Sequence, residues 1–383
     1  MDQALHHPSL GYYARGPERL GPGGDFITSP EISAAFGECL ASQIAEMDRL
    51  LGREPFTLVE LGAGSGRLAE DILSAFASGA AGDLPERLTL LLVERSERMR
   101  GANHRLEGHP GARRVLTAAS LEEATRAVGG GIRGAVISNE FFDALPTHIV
   151  ARRDGRLHEL LVGLASSGDR LAPVHRLVED ADLLAYAERY RVAPEEGMEA
   201  EICLEALTQL RRIALCLERG FHLCVDYGHP ADELYSGRRP RGTLLAYRRH
   251  TVSEEFLERV GEQDLTAHVN FTALIEEGRE AGLDSAGLTT QDRFLISLGL
   301  AGRIAQLAGQ KDAAAIRRRL SLMALIHPEG MGGTFRVLIQ YKGIKRPALT
   351  GLLDPYGVRS LRAPGSERTG ANVNSKRLLR RSP

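Results

Sequence analysis

Apolar residues recur at helical spacing at Ile32, Phe36, Leu40, Ile44, Met47 and Leu51, which is the signature of a helix burying one face. Ser29-Pro30-Glu31 just ahead of them predicts where that helix starts, with a serine cap, a proline in the first turn and an acid at the positive end of the dipole. The run 56–61 is apolar and bounded by Pro55 and Gly62, as expected of a strand buried on both faces. A helix over 67–77 and a strand over 88–93 follow. Residues 136–138 predict a third strand, and 221–225 another after a long helix over 199–219. Strand, glycine loop, helix and strand in repetition predict an α/β fold, a mostly parallel sheet with helices on both faces.

Between Thr147 and Arg176 the pattern changes. Residues 148–152 and 157–162 flank Asp154-Gly155 and predict a hairpin. With the stretch to Pro194 it reads as an insertion into the α/β core, a β-rich lid. The core resumes at Glu199, with a helix over 271–281, a strand over 287–290, helical sequence to Ile326 and a last strand over 335–341. The first 28 residues, rich in Gly, Pro and Tyr, read as loop. The tail from Gly343 has no sustained periodicity and reads as disordered.

The chemistry concentrates at two loops. Glu60-Leu61-Gly62-Ala63-Gly64-Ser65-Gly66 ends the first strand and opens a helix. Small residues there let a cofactor approach the backbone and allow unusual dihedrals. A dinucleotide site wants G-x-G-x-x-G, but the third glycine position of that pattern is Arg67. The spacing G-x-G-x-G after an acid resembles instead the first motif of class I S-adenosylmethionine-dependent methyltransferases. In such a site Glu60 lies near the cationic amino-acid end of the cofactor, and Glu94, ending the second strand, can accept the ribose hydroxyls. The second loop is Ser138-Asn139-Glu140-Phe141-Phe142-Asp143-Ala144-Leu145-Pro146. Ligands of open α/β sheets bind beyond strand carboxyl ends, so Asn139, Glu140 and Asp143 are candidates to line an acceptor site, with Phe141 and Phe142 as apolar walls for a cation.

Composition narrows the partners. Aromatic residues are 5% of the chain and tryptophan is absent, which disfavours a stacking platform for nucleic acid. No apolar run approaches the ~18 residues that span a bilayer. Four scattered cysteines show no metal-ligand spacing, so no metal is expected, and a reduced cytoplasmic protein is. Residues 344–383 hold nine Lys/Arg against Asp354 and Glu367, while the whole chain carries −2. The body is therefore acidic, which suits a cationic partner.

Several stretches together resemble one family. They are His7-Pro8-Ser9-Leu10-Gly11-Tyr12-Tyr13, Gly24-Asp25-Phe26-Ile27-Thr28-Ser29-Pro30-Glu31-Ile32, the glycine loop and the acidic loop. Further along come Asp226-Tyr227-Gly228, Leu244-Leu245-Ala246-Tyr247-Arg248-Arg249-His250, Asp264-Leu265-Thr266-Ala267-His268-Val269-Asn270-Phe271 and Thr290-Gln291. This combination is similar to the MidA-like family of class I methyltransferases, which includes a mitochondrial complex I assembly factor with protein arginine methyltransferase activity. The resemblance implies a Rossmann-like fold divided into an N-terminal loop and helix covering the cofactor site (1–54), a methyltransferase core (55–146 and 199–343), an inserted lid (147–198) and a basic tail (344–383). It implies S-adenosyl-L-methionine as cofactor, contacted by Gly62, Gly64 and Gly66 with Glu60 and Glu94. Gly24, Asp25, Phe26 and Thr28 would lie over cofactor or substrate, Asn139, Glu140 and Asp143 would line the acceptor site, the strand end Asp226-Tyr227-Gly228 would flank the same cleft, and His268-Val269-Asn270 would close it. The implied acceptor is an exposed protein arginine, dimethylated symmetrically, as in the quinone-site subunit of respiratory complex I. Pairing with a second copy of the chain stays open. So do two rival functions, a non-catalytic assembly scaffold and methylation of a small molecule or another side chain. Family members carry a helix ahead of His7-Pro8, so one finishing near Met1 is expected, and nothing in the family is carried onto the tail.

Overall fold

The computed structural model describes residues 1–15, 24–25 and 28–356. Alternation along the central strands sorts their side chains into two cores, because successive residues of a strand point to opposite faces. Leu58, Leu90, Leu92, Ile137 and Val225 pack on one side with the helices Ala35–Leu51 and Arg67–Ala75. Val59, Leu61, Leu91, Val93 and Val136 pack on the other with Leu121–Ala127, Leu204–Cys216 and Phe271–Glu280.

In chain order the strands are β1 (Phe56–Leu61), β2 (Leu88–Val93), β3 (Arg114–Ala118), β4 (Ile132–Asn139), β5 (His148–Arg153), β6 (Arg156–Leu164), β7 (Leu171–Leu177), β8 (Glu199–Ile202), β9 (Leu217–His229), β10 (Leu245–Arg248), β11 (Thr251–Ser253), β12 (Asp264–Thr266), β13 (Val269–Asn270), β14 (Asp284–Thr290) and β15 (Phe335–Lys342). The main sheet runs β14-β15-β9-β4-β1-β2-β3, with β13 paired to the end of β9. β1, β2, β3, β4 and β9 are mutually parallel, and β15 runs against both of its neighbours. This is a Rossmann-like α/β sheet whose order reverses at β1 and β4, where such sheets bind ligands.

Two smaller sheets flank that crevice. β7-β6-β5-β8 is antiparallel throughout and packs with the helix Ala181–Tyr190 through Val150, Leu183, Tyr186 and Ile202. β11-β10-β12 shares a core with the N-terminal segment through Leu5, Tyr12, Ala246 and Leu265.

The structure departs from the sequence-based expectations at four places. The helix expected from Ser29 is two helices, Ser29–Ile32 and Ala35–Leu51, broken where Ser33 is extended and its hydroxyl accepts the Ala35 N–H. Glu199–Ile202 is a strand, because it pairs with β5, so the inserted sheet extends past the expected boundary at 198 and the following helix is only Leu204–Cys216. The N-terminal segment is not all loop, since Asp2–His6 is helical and Tyr12–Arg15 forms a 3₁₀ turn. The first part of the tail packs on the body: Leu349 is buried in the main core, the Gly351 N–H donates to Gln43 at 2.9 Å and the Thr350 N–H to Glu46 at 2.9 Å. The rest of the tail, 357–383, lies outside the described residues.

Candidate active site

A cavity of about 1060 Å³ opens beyond the carboxyl ends of β1, β2 and β4, roofed by the N-terminal segment and the β10–β12 sheet. Glu60, Gly62, Gly64, Glu94, Thr28, Asn139, Glu140, Asp143 and His268 all line it, so most of the residues singled out from the sequence come together. Gly24 and Gly66 do not line it. Gly66 caps the helix Arg67–Ala75 with φ +73°, and a Cβ there would collide with the Asn103 side chain, so its smallness serves packing. Asp25, next to Gly24, ties the segment down by accepting the Tyr12 hydroxyl at 3.0 Å and the Arg249 N–H at 2.8 Å. Phe26 lies outside the described residues.

The glycine loop turns sharply because Gly62, Gly64 and Gly66 all have positive φ, a region L-residues avoid. Its shape is locked by Glu94, whose carboxylate accepts the Gly64 N–H at 2.9 Å and the Ser96 N–H at 2.8 Å. A Cβ on Gly62 would stand 3.1 Å from the Phe141 ring, so the glycine loop and the acidic loop are in contact.

The acidic loop is wound around a buried carboxylate. Asp226 Oδ2 accepts the N–H groups of Phe141 at 3.1 Å and Phe142 at 2.9 Å. Glu140 itself sits at φ +48° while its N–H donates to the Val225 carbonyl at 2.9 Å. A non-glycine residue in that region is uncommon and costs ~1–3 kcal/mol, a strain found where surrounding structure over-determines a functional residue. Glu140 Oε1 accepts from the Ser29 N–H and the Asn139 amide, both at 3.3 Å. The Ala267 N–H donates to the Asp143 carbonyl at 3.0 Å, and the His268 N–H to the Thr243 hydroxyl at 3.0 Å. The three segments thus form one wall.

Electrostatically the wall is short of cations. Burial, with Asp143 beside it, pushes the Glu140 carboxyl up to about 8. Burial also raises Glu60 to about 8, with Glu94 adding to the effect. Asp143 rises to about 6 through burial, against the pull of the Tyr227 hydroxyl. His268 falls to about 3 through burial and the neighbouring His229, Arg239 and Arg336, so it is neutral near pH 7. Glu60 Oε2, Asn139 Oδ1, Asp143 Oδ1 and His268 Nδ1 are buried without hydrogen-bond partners among the described residues. Four orphaned polar atoms on residues that line one cavity fit a bound group with its own donors, and the glycine loop fits one that passes close to the backbone.

The apolar walls differ from expectation. Phe142 is 3% exposed, lies in a core cluster and does not line the cavity, while Tyr13, Tyr227 and Tyr247 do. Asp264 lines it as well and was not singled out; its only sequence signal was membership of the stretch beginning Asp264-Leu265-Thr266. Among the described residues no helix is long and apolar enough to cross a membrane.

Residues 39–289 match the family model described as "Putative S-adenosyl-L-methionine-dependent methyltransferase". The chain is 30% identical to the protein arginine methyltransferase NDUFAF7 homolog, mitochondrial, of Drosophila melanogaster, covering 94% of this chain and 83% of that protein. It is 31% identical to the protein arginine methyltransferase NDUFAF7, mitochondrial, of Danio rerio, covering 88% and 81%. A crystal structure of a COG1565 superfamily member from Burkholderia thailandensis bound to S-adenosyl-homocysteine superposes with a TM-score of 0.81 at 30% identity, covering 92% of this chain and 88% of that one. The names of the animal relatives correct the expectation of a cytoplasmic protein, because they place those proteins in mitochondria.

Proposed function

The chain belongs to this family of S-adenosyl-L-methionine-dependent methyltransferases, and on that premise we propose that it methylates an arginine side chain of a protein, held by Glu140 and Asp143. The observation that carries the reading is the pair itself. Two carboxylates with strongly raised proton affinity line the cavity beside the glycine loop, and no ion pair reaches either among the described residues. Ionising buried acids is costly, and a cationic ligand offsets that cost. The names of the curated relatives, protein arginine methyltransferases, favour a guanidinium over an ammonium.

S-adenosylmethionine, when bound, supplies a methyl group already activated on a sulfonium. The protein's task is then alignment and proton management. In this reading Glu60 holds the cofactor's amino-acid end, Glu94 its ribose, and Gly62, Gly64, Thr28 and Asn139 its flanks. Glu140 gives up its own proton to bulk solvent on binding the guanidinium and keeps the positive charge away from the attacking nitrogen. That nitrogen's proton passes to Asp143 Oδ1, because a carboxyl at about 6 is ionised near pH 7 and free to accept it, as a general base must be. His268 is too weak a base for this and instead stacks edge-on against Tyr227 at 5.4 Å, closing the wall.

The acceptor protein we propose is the quinone-site subunit of respiratory complex I, with symmetric dimethylation as the product and a homodimer as the working assembly. The test incubates the chain and a Glu140→Gln variant with labelled S-adenosylmethionine and that subunit, followed by acid hydrolysis and amino-acid analysis. Removing one partner of a desolvated charge pair costs ~2–5 kcal/mol. Glu140→Gln should therefore lose at least about 30-fold in turnover with cofactor affinity retained. Label in methyl-lysine or a small metabolite defeats the arginine assignment, and full turnover in Glu140→Gln defeats the role of the loop.

A further inference from the structure

We infer that Asp264, steadied by Tyr13, contacts the acceptor cation directly as a third carboxylate of the acceptor pocket, an inference that rests on the arginine reading above. Asp264 opens β12 in the small sheet, is 2% exposed and lines the cavity. Opposite it on β10 stands Tyr247, which lines the cavity too. Its Oδ1 accepts the Tyr13 hydroxyl at 2.9 Å, from a residue 251 positions away, and the Leu265 N–H at 3.0 Å. Among the described residues no hydrogen bond reaches Oδ2 and no cation pairs with the group. Asp143, 4% exposed and with its Oδ1 unpartnered, lines the same cavity, and its charge adds to the burial that raises the Asp264 carboxyl.

Counting donors makes the same point. A guanidinium carries five N–H groups in a fixed fork, and buried donors left unpaired are costly. Glu140 Oε1 already accepts two protein N–H groups, and one Asp143 oxygen must take the released proton. With the Tyr227 hydroxyl also on Asp143, and about four lone-pair sites per carboxylate, the two acids keep about four sites for the five donors. Asp264 supplies the missing acceptor from a different sheet, in a cavity that Tyr13, Tyr227 and Tyr247 also line.

A purely structural Asp264 would only tether Tyr13, and asparagine does that equally well, because its Oδ1 can accept both hydrogen bonds. Asp264→Asn therefore separates the two roles. The probe is the peptide Gly-Gly-Arg-Gly-Gly, with a Lys counterpart, titrated by calorimetry into the full chain saturated with S-adenosylhomocysteine. The expected result is an Arg-peptide affinity at least tenfold weaker in Asp264→Asn, with S-adenosylhomocysteine affinity within twofold of the parent. An unchanged peptide affinity in Asp264→Asn alongside a weakened Glu140→Gln overturns the inference and spares the arginine reading. A chain that prefers the Lys peptide, and loses it in Asp264→Asn, overturns the arginine reading and keeps Asp264 as the cation contact. A chain that binds neither peptide overturns both.

Discussion

Replacing Glu60 by Gln should stabilise the ligand-free protein at alkaline pH and weaken cofactor binding at once. Glu60 is 6% exposed at the end of β1, and its Oε2 has no hydrogen-bond partner among the described residues. Burial lifts its carboxyl from the ordinary 4.5 to about 8, with Glu94 adding to the lift. A carboxyl raised in the folded state contributes stability that is complete below the unfolded value and disappears as pH rises through the folded one. Its share is thus intact near pH 4.5, begins to fall above that and is gone by about pH 9. At 1.36 kcal/mol per pH unit, the two units between pH 6 and the folded value amount to about 3 kcal/mol. Glutamine has no such share to lose. Urea unfolding at pH 6 and pH 9 without ligand should therefore show the variant's stability, relative to the parent, improving by about 3 kcal/mol on going to the higher pH. Binding should move the other way. A hydrogen bond to a charged partner contributes ~1.5–3 kcal/mol, so S-adenosylhomocysteine affinity should fall roughly 10- to 100-fold. Parallel pH–stability curves for parent and variant would refute the buried, unpaired carboxylate. Unchanged affinity would remove Glu60 from the cofactor's contacts.

Two further outcomes follow from particular contacts. Gly64 has φ +50° and its N–H is held by Glu94; Gly64→Val places a branched side chain in that strained region and should abolish S-adenosylhomocysteine binding in calorimetry while circular dichroism stays native. A chain ending at Gly343 loses buried Leu349 and the partners of Gln43 and Glu46, and burying one leucine is worth ~1.5–3 kcal/mol. It should melt a few degrees below a chain ending at Tyr356, and equal melting temperatures would show that 344–356 contributes nothing.

The parts of the fold that could be read from the chain are those whose reason is local. β1 and β2 are buried on both faces, so each announces itself as a short, mostly apolar run. The glycine loop shows itself by spacing, because its turn needs positive φ at fixed intervals. Glu199–Ile202 could not be read this way. Its residues suit the start of the helix that follows, and only pairing with β5, some fifty residues earlier, makes it a strand. The packing of 344–356 was invisible for a related reason. It is fixed by backbone groups donating to Gln43 and Glu46, and backbone donors leave no mark in composition.

The same distinction explains which half of the site was legible. Glu140 and Asp143 lie on one short loop after a strand, so position alone marks them. Tyr227 was marked by its strand end, but Asp264, Tyr13 and Tyr247 come from separate segments, and the site exists only once the N-terminal segment folds over the sheet. Net charge was visible beforehand as an acidic body, yet a count cannot distinguish a solvated carboxylate from one 2% exposed. The distinction carries the chemistry, because an acid in water attracts a cation weakly, whereas Glu140, Asp143 and Asp264 line one cavity where burial raises the proton affinity of each. On the proposed reading, acceptor binding and proton release are therefore coupled, and the pocket selects for positive charge before any contact specific to arginine is made.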